Sequence, residues 1–91
     1  MARHLHKFTL SSEEAVHLSE AVSEDEILLS TIHSAEVGLG GGLILELELE
    51  TAEKVREYLT EQLAKTGFDK DYLLTKEGAI LEELIDKLYI G

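Results

Sequence analysis

The 91-residue chain contains no cysteine, no proline, no tryptophan and no asparagine. Without cysteine there is no disulfide and no thiolate metal ligand, and covalent thiol chemistry is excluded. No apolar run approaches the roughly 18 residues of a membrane-spanning helix, and residues 1–7 lack the apolar stretch of a secretory signal. Positive charge is the scarcest property of the first half. From Phe8 to Glu53 there is no lysine or arginine among eleven acids, so most of the formal net charge of −11 falls in that stretch. A body of this sign repels phosphate, and no cluster of Lys and Arg is present to release counterions, so direct contact with nucleic acid or an anionic membrane is disfavoured.

What is present is a globular balance, 44% hydrophobic against 30% charged. That length and composition point to one α+β domain over residues 1–91, soluble and cytoplasmic by default. Residues 4–10 alternate as a strand, with His4, His6, Phe8 and Leu10 on one side. Ser11 and Glu14 have the S-x-x-E spacing of a capping box, which starts a helix able to bury Ala15, Leu18, Ala21 and Val22. Alternation returns from Ile27 to Val37 and predicts a second strand. Four glycines in residues 38–42 form a flexible tip, and Leu43 to Glu50 then alternates leucine with Ile44, Glu46, Glu48 and Glu50 as a third strand. Thr51 opens a helix striped by Val55, Tyr58, Leu59 and Leu63, which Gly67 ends in a left-handed conformation. Tyr72–Leu74 is a short last strand, and Thr75 caps a closing helix carrying Ile80, Leu81, Leu84, Ile85 and Leu88.

This order, β-α-β-β-α-β with an added C-terminal helix, is that of a ferredoxin-like split βαβ sandwich. One face of its sheet would stay open, with Glu46, Glu48 and Glu50 as an acidic ridge beside Lys7, and Arg3 further along, on the neighbouring strand.

Motifs with chemistry are few. The glycine tip runs into a strand instead of a helix and lacks the Lys and Ser/Thr of a P-loop, so no phosphate cradle is expected. Asp69-Lys70-Asp71 fails the calcium-loop spacing, with Leu74 and Ile80 where a glycine and a glutamate are required. The same two aspartates suit a turn. His4 and His6 share a strand face, the spacing of two imidazole ligands, and His33 or a glutamate could complete a set of three. No nucleophile-elbow motif surrounds Ser30, His33 and Ser34.

Asp71-Tyr72-Leu73-Leu74-Thr75-Lys76-Glu77-Gly78, followed by the helix to Leu88, resembles the closing strand-to-helix segment of winged-helix regulators. The resemblance covers about a fifth of the chain and implies a strand before the last helix. The preceding helix carries Glu53, Glu57 and Glu61 against Lys54, Arg56 and Lys65, without the basic surplus of a DNA-reading helix.

The expectation is therefore a small acidic, non-catalytic protein-protein interaction module with no cofactor and no small-molecule substrate. Its contact surface would include Ile44, Glu46, Glu48 and Glu50. It would either dimerise over Ile44, Leu28 and Ile32 or block a basic, nucleic-acid-binding protein as immunity and phage anti-defence proteins do. The rival expectation is a metal-binding protein using His4, His6 and His33.

Overall fold

Residues 4–90 are described by a computed structural model of the chain. The first strand forms where alternation predicts it: β1 (His6–Leu10) buries Phe8 and Leu10 and exposes Lys7 and Thr9. Ser11 then caps α1 (Ser12–Ala21). The Glu14 amide donates to Ser11 Oγ at 3.1 Å and the Ser11 amide donates to Glu14 Oε1 at 2.9 Å, closing the capping box.

The predicted second strand is instead mostly helix, α2 (Glu26–His33), with only β2 (Glu36–Val37) remaining extended. Asp25 decides the matter locally by accepting the Leu28 amide at 3.0 Å as an N-cap, with Glu26 favourably placed in the first turn. Packing decides it globally. A strand face holding Leu28 and Ile32 would also carry Ser30 and Ser34 inward, whereas the helix buries Leu28 and Ile32 and leaves both serines exposed. Burial is worth about 1.5–3 kcal/mol per large aliphatic side chain, more than the few tenths that β-branched residues cost a helix.

A 3₁₀ turn (Leu39–Gly41) links β2 to β3 (Leu43–Leu47), with Gly40 and Gly41 at φ of 75° and 82°, a region open to glycine at little cost. The sheet order is β1-β3-β2, antiparallel throughout. Phe8 lies opposite Leu45 and Leu10 opposite Leu43 toward the core, while Lys7 lies opposite Glu46 on the outer face, as alternation implied. The third strand stops at Leu47. Glu48 becomes the N-cap of α3 (Leu49–Thr66), three residues ahead of the predicted Thr51, so Leu49 leaves the leucine stripe and is exposed.

Gly67 ends α3 in a right-handed conformation, not the left-handed one expected. Its glycine character has a packing cause: a Cβ there would overlap Leu63, and a Cβ on Gly78 would overlap the Gly67 carbonyl. Residues 68–74 form a turn closed by a single bridge between Phe68 and Leu74, so the predicted strand is reduced to one pair. Thr75 caps α4 (Lys76–Lys87), accepting the Gly78 amide at 2.9 Å and donating its hydroxyl to the Gly67 carbonyl at 3.1 Å.

The architecture is α+β, with four α-helices and three strands among the described residues. The ferredoxin-like arrangement is not seen, because it requires a fourth ladder strand and a strand where α2 stands. One hydrophobic cluster joins Leu10, Leu18, Leu45, Leu59, Leu81 and Leu84 with their neighbours. Leu28 and Ile32 belong to it, at 4% and 2% exposure, so they are not available to a dimer face. No described helix is long and apolar enough to cross a membrane.

The contact of Gly78 with Gly67 predicts that Gly78→Ala, although it raises helix propensity, destabilises the fold by about 1–3 kcal/mol through overpacking. Urea denaturation checks this, and a midpoint at or above the parent's contradicts the close approach.

Candidate functional site

The acidic ridge expected on the third strand does not form as one row. Glu46 alone projects from the sheet, opposite Lys7; Glu48 is half-buried at the strand-helix junction, and Glu50 stands in the first turn of α3. Ile44 is half-buried on the outer face between Thr9 and Glu36. Arg3 lies outside the described residues. A continuous row does exist on α3, where Glu53, Glu57 and Glu61 recur every four residues and are all exposed. Like charges at this spacing cost a helix a few tenths of a kcal/mol per pair, so the row adds nothing to stability.

Part of the basic complement is engaged in contacts between elements. Asp25, the cap of α2, receives the Tyr58 hydroxyl at 3.1 Å and Lys54 Nζ at 3.2 Å on Oδ2, tying α2 to α3. The Leu28 amide contributes most to holding the Asp25 carboxyl below its ordinary value of 3.8; desolvation opposes it, and Lys54 and Tyr58 add to the lowering. The same hydrogen bond pushes the Tyr58 hydroxyl up. Lys87 reaches from α4 to Glu14 Oε1 at 2.7 Å and to the Thr9 carbonyl at 3.2 Å. Burial raises the Glu14 pKa, but the Lys87 ammonium and the Ser11 amide together outweigh it and leave the group below its ordinary 4.5. Arg56 donates from Nε to the Ile85 carbonyl at 3.0 Å and stacks 4.9 Å from the Tyr89 ring centre, joining α3 to α4. With these three bases committed internally, the exterior is left predominantly anionic.

The other conspicuous surface is the turn between α3 and α4. Phe68, Tyr72, Leu73 and Leu74 are all exposed, Tyr72 by 87% and Leu73 by 64%. The turn is nonetheless tightly built. Asp69 Oδ1 accepts the Asp71 amide at 2.8 Å and the Leu73 amide at 3.1 Å, and the Asp69 amide donates to the Leu73 carbonyl at 2.9 Å. This frame holds Tyr72 at φ 61°, the single described non-glycine residue with positive φ. A left-handed tyrosine costs about 1 kcal/mol or more and persists only where its surroundings impose it.

The three histidines predicted as ligands are not brought together. His4 and His6 touch edge to face with ring centres 4.6 Å apart, whereas His33 is exposed at the end of α2. A different histidine, His17 of α1, lies near Glu20 and Glu77. Sequence reasoning missed it because Glu77 is distant in the chain and meets His17 only through the packing of α1 on α4. It also passed over the apolar turn, where Tyr72–Leu74 read as a short last strand. No family pattern matches this chain, and no curated protein or solved structure resembles it closely enough to count as a match.

The depressed carboxyls at Glu14 and Asp25 fix the sign of the acid response. Their contribution to stability is complete above the unfolded values of 4.5 and 3.8 and is lost as pH falls through the lower folded values. Unfolding free energy measured by denaturant titration is therefore expected to decline on acidification below about pH 4.5. The double variant Glu14→Gln, Asp25→Asn should be less stable at pH 7 and show a shallower acid decline; an equally steep one would assign the effect to other carboxylates.

Proposed function

We propose that this chain is a small, non-catalytic protein-binding module that docks through the turn at residues 68–74 on a partner whose apolar pocket has a basic surround. The observation that carries the reading is that turn: large apolar side chains displayed to solvent on a backbone locked by Asp69, with Tyr72 held in a costly conformation. A rigid aromatic anchor loses little entropy on binding, which is why such residues dominate interface energetics. The net charge of −11 supplies the second half of the argument, since it favours encounter with a cationic surface and opposes close approach of a second copy.

The order β1, α1, four connecting residues, α2, then the β2–β3 hairpin is that of a helix-turn-helix followed by a hairpin. In DNA-binding examples the second helix faces the duplex. Here that helix is capped by Asp25, begins with Glu26 and has no lysine or arginine, and the hairpin adds Glu36 and Glu46. The arrangement therefore favours a protein partner over nucleic acid.

A second reading, an acidic inhibitor of a nucleic-acid-binding protein, is favoured by the row Glu53, Glu57 and Glu61, whose four-residue spacing places repeated negative charge along one helix.

The test is capture of the partner from cells of the source organism, followed by kinetics on the purified pair. Tyr72→Ser with Leu73→Ser is expected to weaken binding at least about tenfold while changing stability by less than about 0.5 kcal/mol, because both side chains are mainly exposed. Tyr72→Gly should abolish the anchor without lowering the melting temperature, since glycine accepts the same φ freely. Association should slow as salt rises. Binding that survives the serine pair but is lost on neutralising Glu53, Glu57 and Glu61 would move the function to the inhibitor reading.

A further inference from the structure

His17 lies on α1 with its side chain four-fifths buried, and its Nδ1 atom has neither exposed surface nor a hydrogen-bond partner among the described residues. That nitrogen faces two carboxylates: Glu77 Oε1, from the first turn of α4, at 3.7 Å, and Glu20 Oε2, one turn along α1, at 4.0 Å. Both separations are too long for hydrogen bonds. The three ligand-type atoms lie within 4.8 Å of one another, the single grouping of its kind among the described residues. Neither carboxylate has a lysine or arginine within ion-pair distance among those residues. With the imidazole neutral, a shielded nitrogen without a hydrogen-bond partner facing two carboxylates that no lysine or arginine neutralises is unfavourable; a cation between them satisfies all three.

We propose that His17, Glu20 and Glu77 bind a divalent first-row transition metal ion, with zinc the natural probe, and that the ion clamps α1 to α4. One imidazole and two carboxylates form a borderline donor set that suits zinc, manganese or cobalt, and the imidazole disfavours calcium and magnesium. Three protein ligands leave a position for water, the pattern of an open zinc site. Bonds of about 2.0–2.2 Å place tetrahedral ligand atoms roughly 3.3–3.6 Å apart, so the two nitrogen–carboxylate separations must close by up to about 0.7 Å and the carboxylate oxygens, which lie within 4.8 Å of each other, by up to about 1.5 Å. Rotation of the two glutamate side chains, which are 58% and 37% exposed, provides that movement. The assignment is independent of the docking turn and uses none of its residues.

The experiment is zinc titration of purified, untagged protein, followed by calorimetry and by thermal melting, with cobalt absorption as a report on ligand number. One ion per chain and a melting temperature several degrees higher at saturation are expected. His17→Gln and Glu77→Gln should each weaken binding at least about tenfold, since even an outer partner of a metal site is worth that much. Glu77→Gln, at a partly exposed position, keeps the test valid should the histidine variant fold poorly. The pair His4→Gln, His6→Gln should bind zinc as the parent does. Absence of both heat and a melting shift with zinc titrated to about 1 mM, where a site of micromolar Kd is saturated, would overturn the assignment. So would binding lost only in the His4, His6 pair, or retained in full by Glu77→Gln.

Discussion

The pairing of β1 with β3 is the constraint on which the remaining structure depends. It brings residues 6–10 against residues 43–47 and so turns everything between them, two helices and a short hairpin arm, into a single excursion that must fold back over the ladder. The inner side of the ladder supplies Phe8, Leu10, Leu45 and Leu47 to the core. Once that floor exists, α1 covers it through Leu18 and Val22, and α3 and α4 close the core through Leu59, Leu81 and Leu84. Loop closure over some thirty residues carries an entropic cost that grows only slowly with length, and the buried leucines readily exceed it.

The same economy governs charge. Few bases are available, and Lys54, Arg56 and Lys87 are placed where each joins two elements: α3 to the cap of α2, α3 to α4, and α4 to the first strand and helix. A buried carboxylate such as Glu14 is tolerable only with its ammonium partner beside it. Cohesion inside and anionic character outside are thus two results of one distribution. The exposed row on α3 and the built turn after it stand apart because the row adds nothing to stability and the turn keeps its large side chains outside the core; they are the surfaces on which the proposed docking rests.

Much of this was legible in the residues themselves. The capping box at Ser11 and Glu14, the alternation of residues 6–10 and 43–47, and the Thr75 cap all act through neighbours three or fewer positions away, and each formed as its spacing implies. Ile27–Val37 misled because its apolar residues satisfy both a period of two and a spacing of four; Asp25, which reads equally as a turn residue or a cap, held the answer. The acidic ridge was expected on the wrong element for a related reason. Glu46, Glu48 and Glu50 share a face only while the strand continues, and it ends at Leu47. The exposure of Tyr72 and the meeting of His17 with Glu77 are tertiary outcomes, settled by how α4 packs against α1 and α3, and no local pattern encodes them.

The sheet's margins carry one more consequence. Its outer strand β2 is two residues long, and the opposite strand has the Thr9 carbonyl occupied by the Lys87 ammonium. An uncovered ladder margin is a template onto which other chains can polymerise, and brevity on one side with a lysine across the other are both means of blunting it. In a leucine-rich protein with no proline to interrupt its strands, these two features reduce the open ladder edge that another chain could extend.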